Sequence, residues 1–163
     1  MDMNLWNDID SSIYGSEKYM DHILEQYKIY VESAERVSSR RNLANTFFLT
    51  LNTVLVASMA AVYSEGVSLI GKWWIIFPLI AIELLCYSWW RLIRSYRQLN
   101  TGKFIVIGEM EKKLPASPYW NAEWKILGEG KDPAKYKPLT EVETLVPILF
   151  GILYLIGAVV IVW

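Results

Sequence analysis

Three apolar runs constrain this chain more than any other feature. Thr46–Tyr63, Trp73–Trp90 and Val142–Trp163 each approach the ~20 residues a helix needs to cross about 30 Å of hydrocarbon. Apolar residues make up 53% of the 163, with eight Trp and ten Tyr, a composition that does not suit an ordinary soluble core. The expected fold is an all-α membrane protein with three transmembrane helices, whose long helical extensions form a cytoplasmic layer, in an oligomeric assembly. The segments are 1–15, an N-terminal stretch; 16–45, a cytoplasmic helix leading into the first span; 46–93, a transmembrane hairpin; 94–140, a cytoplasmic helix and amphipathic connector; and 141–163, the third span.

Charge distribution orients this arrangement. Formal net charge is −1, so the chain as a whole does not attract anions. Arg40 and Arg41 precede the first span and Arg91, Arg94, Arg97 and Lys103 follow the second, whereas the short Ser64–Lys72 turn has one lysine. The positive-inside rule then places both ends of the hairpin, and the amino terminus, in the cytoplasm and the carboxyl terminus in the periplasm or outside. Residues 1–15 carry Asp2, Asp8 and Asp10 without a basic leader or apolar core, so the first span is expected to direct insertion itself.

Local signals fill in the elements. Met20, Leu24, Tyr27, Val31 and Ala34 recur at helical spacing, and no Pro or Gly separates them from the first span, which predicts one continuous helix. That stripe suits packing within the subunit or a seam between subunits. Trp73-Trp74 and Trp89-Trp90 bracket the second span as interfacial belts, with Pro78 as a point of bending. The helix beyond Trp90 is expected to reach Leu114, with Gly102 and Gly108 as weak points, before Pro115 and Pro118 stop it. Tyr119–Leu127 reads as an amphipathic turn carrying Trp120 and Trp124, and residues 128–133 read as a loop. Thr140-Glu141-Val142-Glu143 has the form of a capping box at the start of the third span.

Catalytic constellations are not found. His22 has no ligand motif around it, the single Cys86 excludes an internal disulfide and a cysteine zinc cluster, and Thr101-Gly102-Lys103 lacks the upstream glycine of a phosphate loop. The chain is expected to be no enzyme and to need no cofactor or metal. Two groups of residues remain. Asn45, Asn52 and Glu83 are polar at membrane depth, where such residues either brace helices or line a wet path. Arg40, Arg41, Arg91, Arg94, Arg97 and Lys103 form a basic collar that suits positive-inside topology and lipid phosphate, or a polyanion tracked by the i, i+3, i+6 arginines.

The runs Ser38-Ser39-Arg40-Arg41-Asn42-Leu43-Ala44-Asn45-Thr46-Phe47-Phe48-Leu49-Thr50-Leu51-Asn52-Thr53 and Ile93-Arg94-Ser95-Tyr96-Arg97-Gln98-Leu99-Asn100-Thr101-Gly102-Lys103-Phe104 resemble those of the transmembrane effectors of Hailong-type systems. These belong to a family of small bacterial membrane proteins encoded in anti-phage defence operons. The resemblance covers most of Tyr27 to Trp124 and consists of helices and polar punctuation, not a catalytic signature. It implies an inner-membrane channel, a homo-oligomer of four subunits. It also implies that a single-stranded DNA oligomer made by a partner nucleotidyltransferase holds the channel closed, and that opening on infection arrests growth. A non-channel membrane anchor or scaffold for a cytoplasmic partner is the competing expectation.

Overall fold

The computed structural model describes residues 5–7, 9, 11–64 and 76–162. Among them every regular element is helical: α1 (Ser11–Tyr14), the 49-residue α2 (Ser16–Ser64), the 36-residue α3 (Ile76–Glu111), a π-helical turn at Pro118–Glu123 running into α4 (Trp124–Ile126), a 3-10 turn at Gly128–Gly130, and the 24-residue α5 (Leu139–Val162). The three expected spans lie in α2, α3 and α5, which are long and apolar enough to cross a membrane. The Ser64–Lys72 turn, apart from the backbone of Ser64, together with Trp73-Trp74, Trp163, Asp2, Asp8 and Asp10, lies outside the described residues.

With no Pro or Gly in its sequence, α2 runs unbroken for about 74 Å. α3 passes through Gly102 and Gly108 and stops at Glu111, three residues short of the expected end. Pro115 disfavours helix in the residue before it, and the Lys113 and Leu114 amides instead bond back to the carbonyls of Met110 and Glu111 as a turn. Pro78 is the third described residue of α3, and the turn before it, where the expected bend would lie, falls outside the described residues. Pro147, buried inside α5, deprives the Glu143 carbonyl of its usual donor.

The chain divides into two compact units, Met1–Ser38 with Gln98–Lys137 and Ser39–Arg97 with Pro138–Trp163. In the first, α2 turns Ile23, Tyr27, Tyr30, Ala34 and Val37 inward at alternating spacings of four and three, against Asn100, Lys103, Ile107 and Met110 of α3. This is the heptad rhythm of two helices packed side by side. The bonds Tyr27–Glu111, Ser33–Lys103 and Ser38–Asn100 make the pair antiparallel. Met20 and Leu24, expected on the inward stripe, are exposed, because the buried row is rotated toward Ile23 and Tyr30. Tyr30 can sit there because its ring lies 4.5 Å beneath the Lys103 ammonium and shields that charge's stem.

In the second unit three helices share a core: Arg41, Asn45, Phe48 and Asn52 of α2, Cys86, Trp89 and Ile93 of α3, and Pro147, Gly151, Tyr154 and Ala158 of α5. Trp89, expected in an interfacial belt, is instead 2% exposed, stacked on Phe48 at 5.6 Å and 6.2 Å from Phe150. The outward faces of the spans carry large apolar side chains such as Phe77, Leu84, Leu149 and Val160. At most 22% of the apolar stretch of any span is buried within the protomer, so lipid or neighbouring subunits must cover the rest.

Candidate functional site

Of the intramembrane polar residues, Asn52 is the most enclosed, at 0% exposure. Its amide donates to the Phe48 carbonyl one turn earlier at 2.8 Å, and its Oδ1 accepts from the Tyr154 hydroxyl at 3.0 Å and the Cys86 thiol at 3.6 Å. The Tyr154 hydroxyl also approaches the Asn52 carbonyl at 3.1 Å. One side chain thus ties α2, α3 and α5 together, because a carboxamide supplies both donor and acceptor in a place without water. Seven residues earlier, Asn45 Oδ1 accepts from the Trp89 indole at 3.0 Å. Both asparagines spend these polar atoms inside the protomer.

Glu83, the third of these residues, does not meet the Asn52 amide, which donates to the Phe48 carbonyl instead. Its carboxyl lies over Gly151 of α5, where an added Cβ would stand 3.0 Å from Oε2, and its Oε1 is buried without a hydrogen-bond partner among the described residues. Glycine at 151 opens the notch this carboxyl occupies.

The six basic residues of the expected collar separate into two kinds. Arg41 is largely covered: its Nε lies 3.5 Å from Glu143 Oε2 and its Nη1 donates to Thr140 Oγ1 at 3.3 Å. The Nε contact lacks hydrogen-bond alignment and is a charge pair only. Thr140 and Glu143 are two members of the expected capping box, but α5 already begins at Leu139, and their side chains face Arg41 instead of the helix's own first amides. Lys103 is likewise engaged, donating to Ser33 Oγ at 2.8 Å. Arg40, Arg91, Arg94 and Arg97 are exposed and have no carboxylate partner among the described residues; Arg94 lies 4.8 Å over the Trp90 ring.

One centre gave no signal in the sequence. Glu111, 1% exposed at the end of α3, accepts from Tyr27 Oη (3.1 Å), Ser117 Oγ (2.6 Å), and the backbone amides of Tyr119 (3.1 Å) and Trp120 (3.0 Å). The amides belong to the first turn of Pro118–Glu123, where helical nitrogens lack internal partners and favour an anion. Burial, and then the bond to Glu111, hold the Tyr27 phenol well above its ordinary 10.0. Above this clamp Trp120 lies across Gly108, close enough that a Cβ there would sit 2.8 Å from the ring. The two indoles thereby part company, since Trp124 packs against Gly130. In the adjoining turn the Lys131 ammonium bonds the exposed Glu129 carboxyl and lowers its pKa.

Three apolar helices, polar ties between them and outward faces of large aliphatic side chains define a small helical membrane protein. The chain belongs to the octameric membrane protein family (8xMP), whose model matches residues 24–163. Members are small oligomeric membrane proteins, and the family's name carries eight subunits, which gives no support to the four implied by the Hailong-type resemblance. No curated protein and no solved structure matches the chain.

Proposed function

We propose that the chain is a non-enzymatic effector of bacterial anti-phage defence, assembling as an octameric ring in the inner membrane. A bound single-stranded DNA oligomer, made by a partner nucleotidyltransferase, holds the ring closed, and loss of that oligomer lets ions through and arrests growth. The supporting observation is the exposed arginine set. Arg40, Arg91, Arg94 and Arg97 flank the spans without carboxylate partners among the described residues, so a ring would gather many uncommitted guanidinium groups. Arg41 and Lys103 have internal partners and act in bracing, which reduces the expected collar to four residues per subunit. Phosphates suit these forks, and bases can stack on the half-buried Tyr96.

Planar-bilayer recording of the purified protein tests this reading. Currents are expected without oligonucleotide and block with it, and block should weaken steeply as salt rises. Reversal of Arg91, Arg94 and Arg97 to glutamate should abolish block and flatten the salt slope by about 2, at ~0.7 per phosphate contact on single strands. Reporters fused within residues 128–131 and after residue 163 should fall on opposite sides of the membrane, which also checks insertion of the variant.

The anchor or scaffold reading draws on a different observation: Asn45 and Asn52 are occupied within one protomer. It predicts a correctly assembled protein that is nontoxic and carries no current.

A further inference from the structure

The outward side of α2 in the second unit is divided along its length. With 3.6 residues per turn, Ser39, Asn42, Thr46, Thr50, Thr53 and Ala57 fall within an arc of about 80°, and no other residue between 39 and 57 enters it. All six are exposed. The adjacent outward arc holds Leu43, Phe47 and Val54. The outward faces of α3 and α5 hold Phe77, Leu84, Leu149 and Ile156. One face of α2 is therefore small and polar for ~27 Å, of which Thr46 to Ala57, about 17 Å, lies within the first span, beside surfaces built of bulky apolar groups.

We infer that this face receives a second copy of the chain and forms the seam between neighbouring subunits. Lipid tails are as apolar as leucine, so bulky aliphatic faces gain little by meeting one another in a membrane, and helices associate where small side chains let their backbones approach. The Ser39–Ala57 face offers that approach. It also tolerates a dry contact, because the Thr46 and Thr53 hydroxyls donate back to the Asn42 and Leu49 carbonyls at 3.0 and 2.8 Å. Asn42, at the cytoplasmic end of the row in the proposed topology, is left to hydrogen-bond across the seam.

Coverage within the protomer points the same way. Within the protomer the span in α2 is covered least and that in α5 most, although α5 is the more apolar of the two. The least covered span is thus less suited to lipid than α5, and membership of an oligomeric family supplies a partner for it. The inference depends on that membership and not on conduction or DNA.

The experiment places a wedge in the row and compares it with one in the bulky surface. Thr50→Trp and Thr53→Trp, purified in mild detergent, should lose the oligomer and run at the mass of one or two subunits. Leu149→Trp, on the exposed face of α5, should keep wild-type mass. Because a tryptophan can also impair insertion, Thr50→Cys in a Cys86→Ser background is treated in intact membranes with a charged, water-soluble thiol reagent. No labelling in the assembled protein is expected. Labelling of Thr50→Cys in an assembly of wild-type mass would mean that the face lines water, and wild-type mass in correctly inserted tryptophan variants would mean that it faces lipid. Either result overturns the seam. Absence of current from an oligomer of normal mass counts against the channel alone.

Discussion

Glu111 and Asn52 are both buried polar residues at the centre of a hydrogen-bond cluster, one in each compact unit, and they meet opposite requirements. Glu111 is a carboxylate, tolerable because hydroxyls and the unpaired amides of a helical turn converge on it. Asn52 sits within a span, where a neutral carboxamide satisfies its neighbours without introducing charge. The difference shows how solvent selects the group. Outside the expected spans a buried carboxyl can organise a turn; within them an amide, a phenol and a thiol share the task.

The sharpest break in this comparison is Glu111→Ala, which leaves two hydroxyls and two amides without their acceptor. Hydrogen bonds to charged groups contribute about 1.5–3 kcal/mol each, non-additively, so a loss of roughly 3 kcal/mol or more is expected. The readout is rapid protease cutting within residues 118–137 while helical circular dichroism of the spans persists. Next is Arg41→Met, which strands Glu143 in a largely covered site and should cost about 2 kcal/mol in detergent unfolding. Adding Glu143→Leu should return most of it, since an apolar pair replaces an ion pair well, and a double variant as weak as Arg41→Met would show that the charge pair is not the reason for the loss.

Asn52→Leu should cost less, about 1 kcal/mol, because hydrogen bonds between helices in membranes average roughly 0.6 kcal/mol and Tyr154 retains the Asn52-position carbonyl as acceptor. If it proves costlier than Glu111→Ala, the contrast between aqueous and intramembrane centres fails. Smallest at neutral pH is Tyr27→Phe, whose effect emerges in alkali. The folded-state value lies above the unfolded 10.0, so the contribution is fully present below that pH and disappears as pH rises through the folded value. Wild-type stability should fall above pH 10.0, and the phenylalanine variant should lose that slope.

The spans were legible because length and hydropathy decide them, as was the continuity of α2, since nothing in it interrupts a helix. Which face of a helix turns inward was less so. Tyr30 and Ile23 compete with Leu24 and Met20 for the core, and Tyr30 finds its partner, the Lys103 ammonium, on a residue 73 positions away that no local pattern pairs with it. Trp89 next to Trp90 looks like a belt on paper, yet only Trp90 carries an arginine, while Trp89 finds an asparagine across the core. Glu111 stands in a charged stretch with Glu109, Lys112 and Lys113, and its burial comes from the chain turning back at Ser117–Trp120, a tertiary event with no local pattern. The motif Thr140-x-x-Glu143 was visible, but its partner was Arg41, not the helix end.

The notch at Gly151 has a consequence during synthesis. α3 leaves the ribosome before α5, so for the time needed to make the intervening chain Glu83 is without the glycine it rests on. An acidic group inside a span raises the insertion free energy by about 3 kcal/mol, so until α5 is made α3 carries a carboxyl that no part of α5 covers. Arrival of α5 closes that interval. One carboxyl and one missing methyl group thus tie the fit of the second span to the presence of the third.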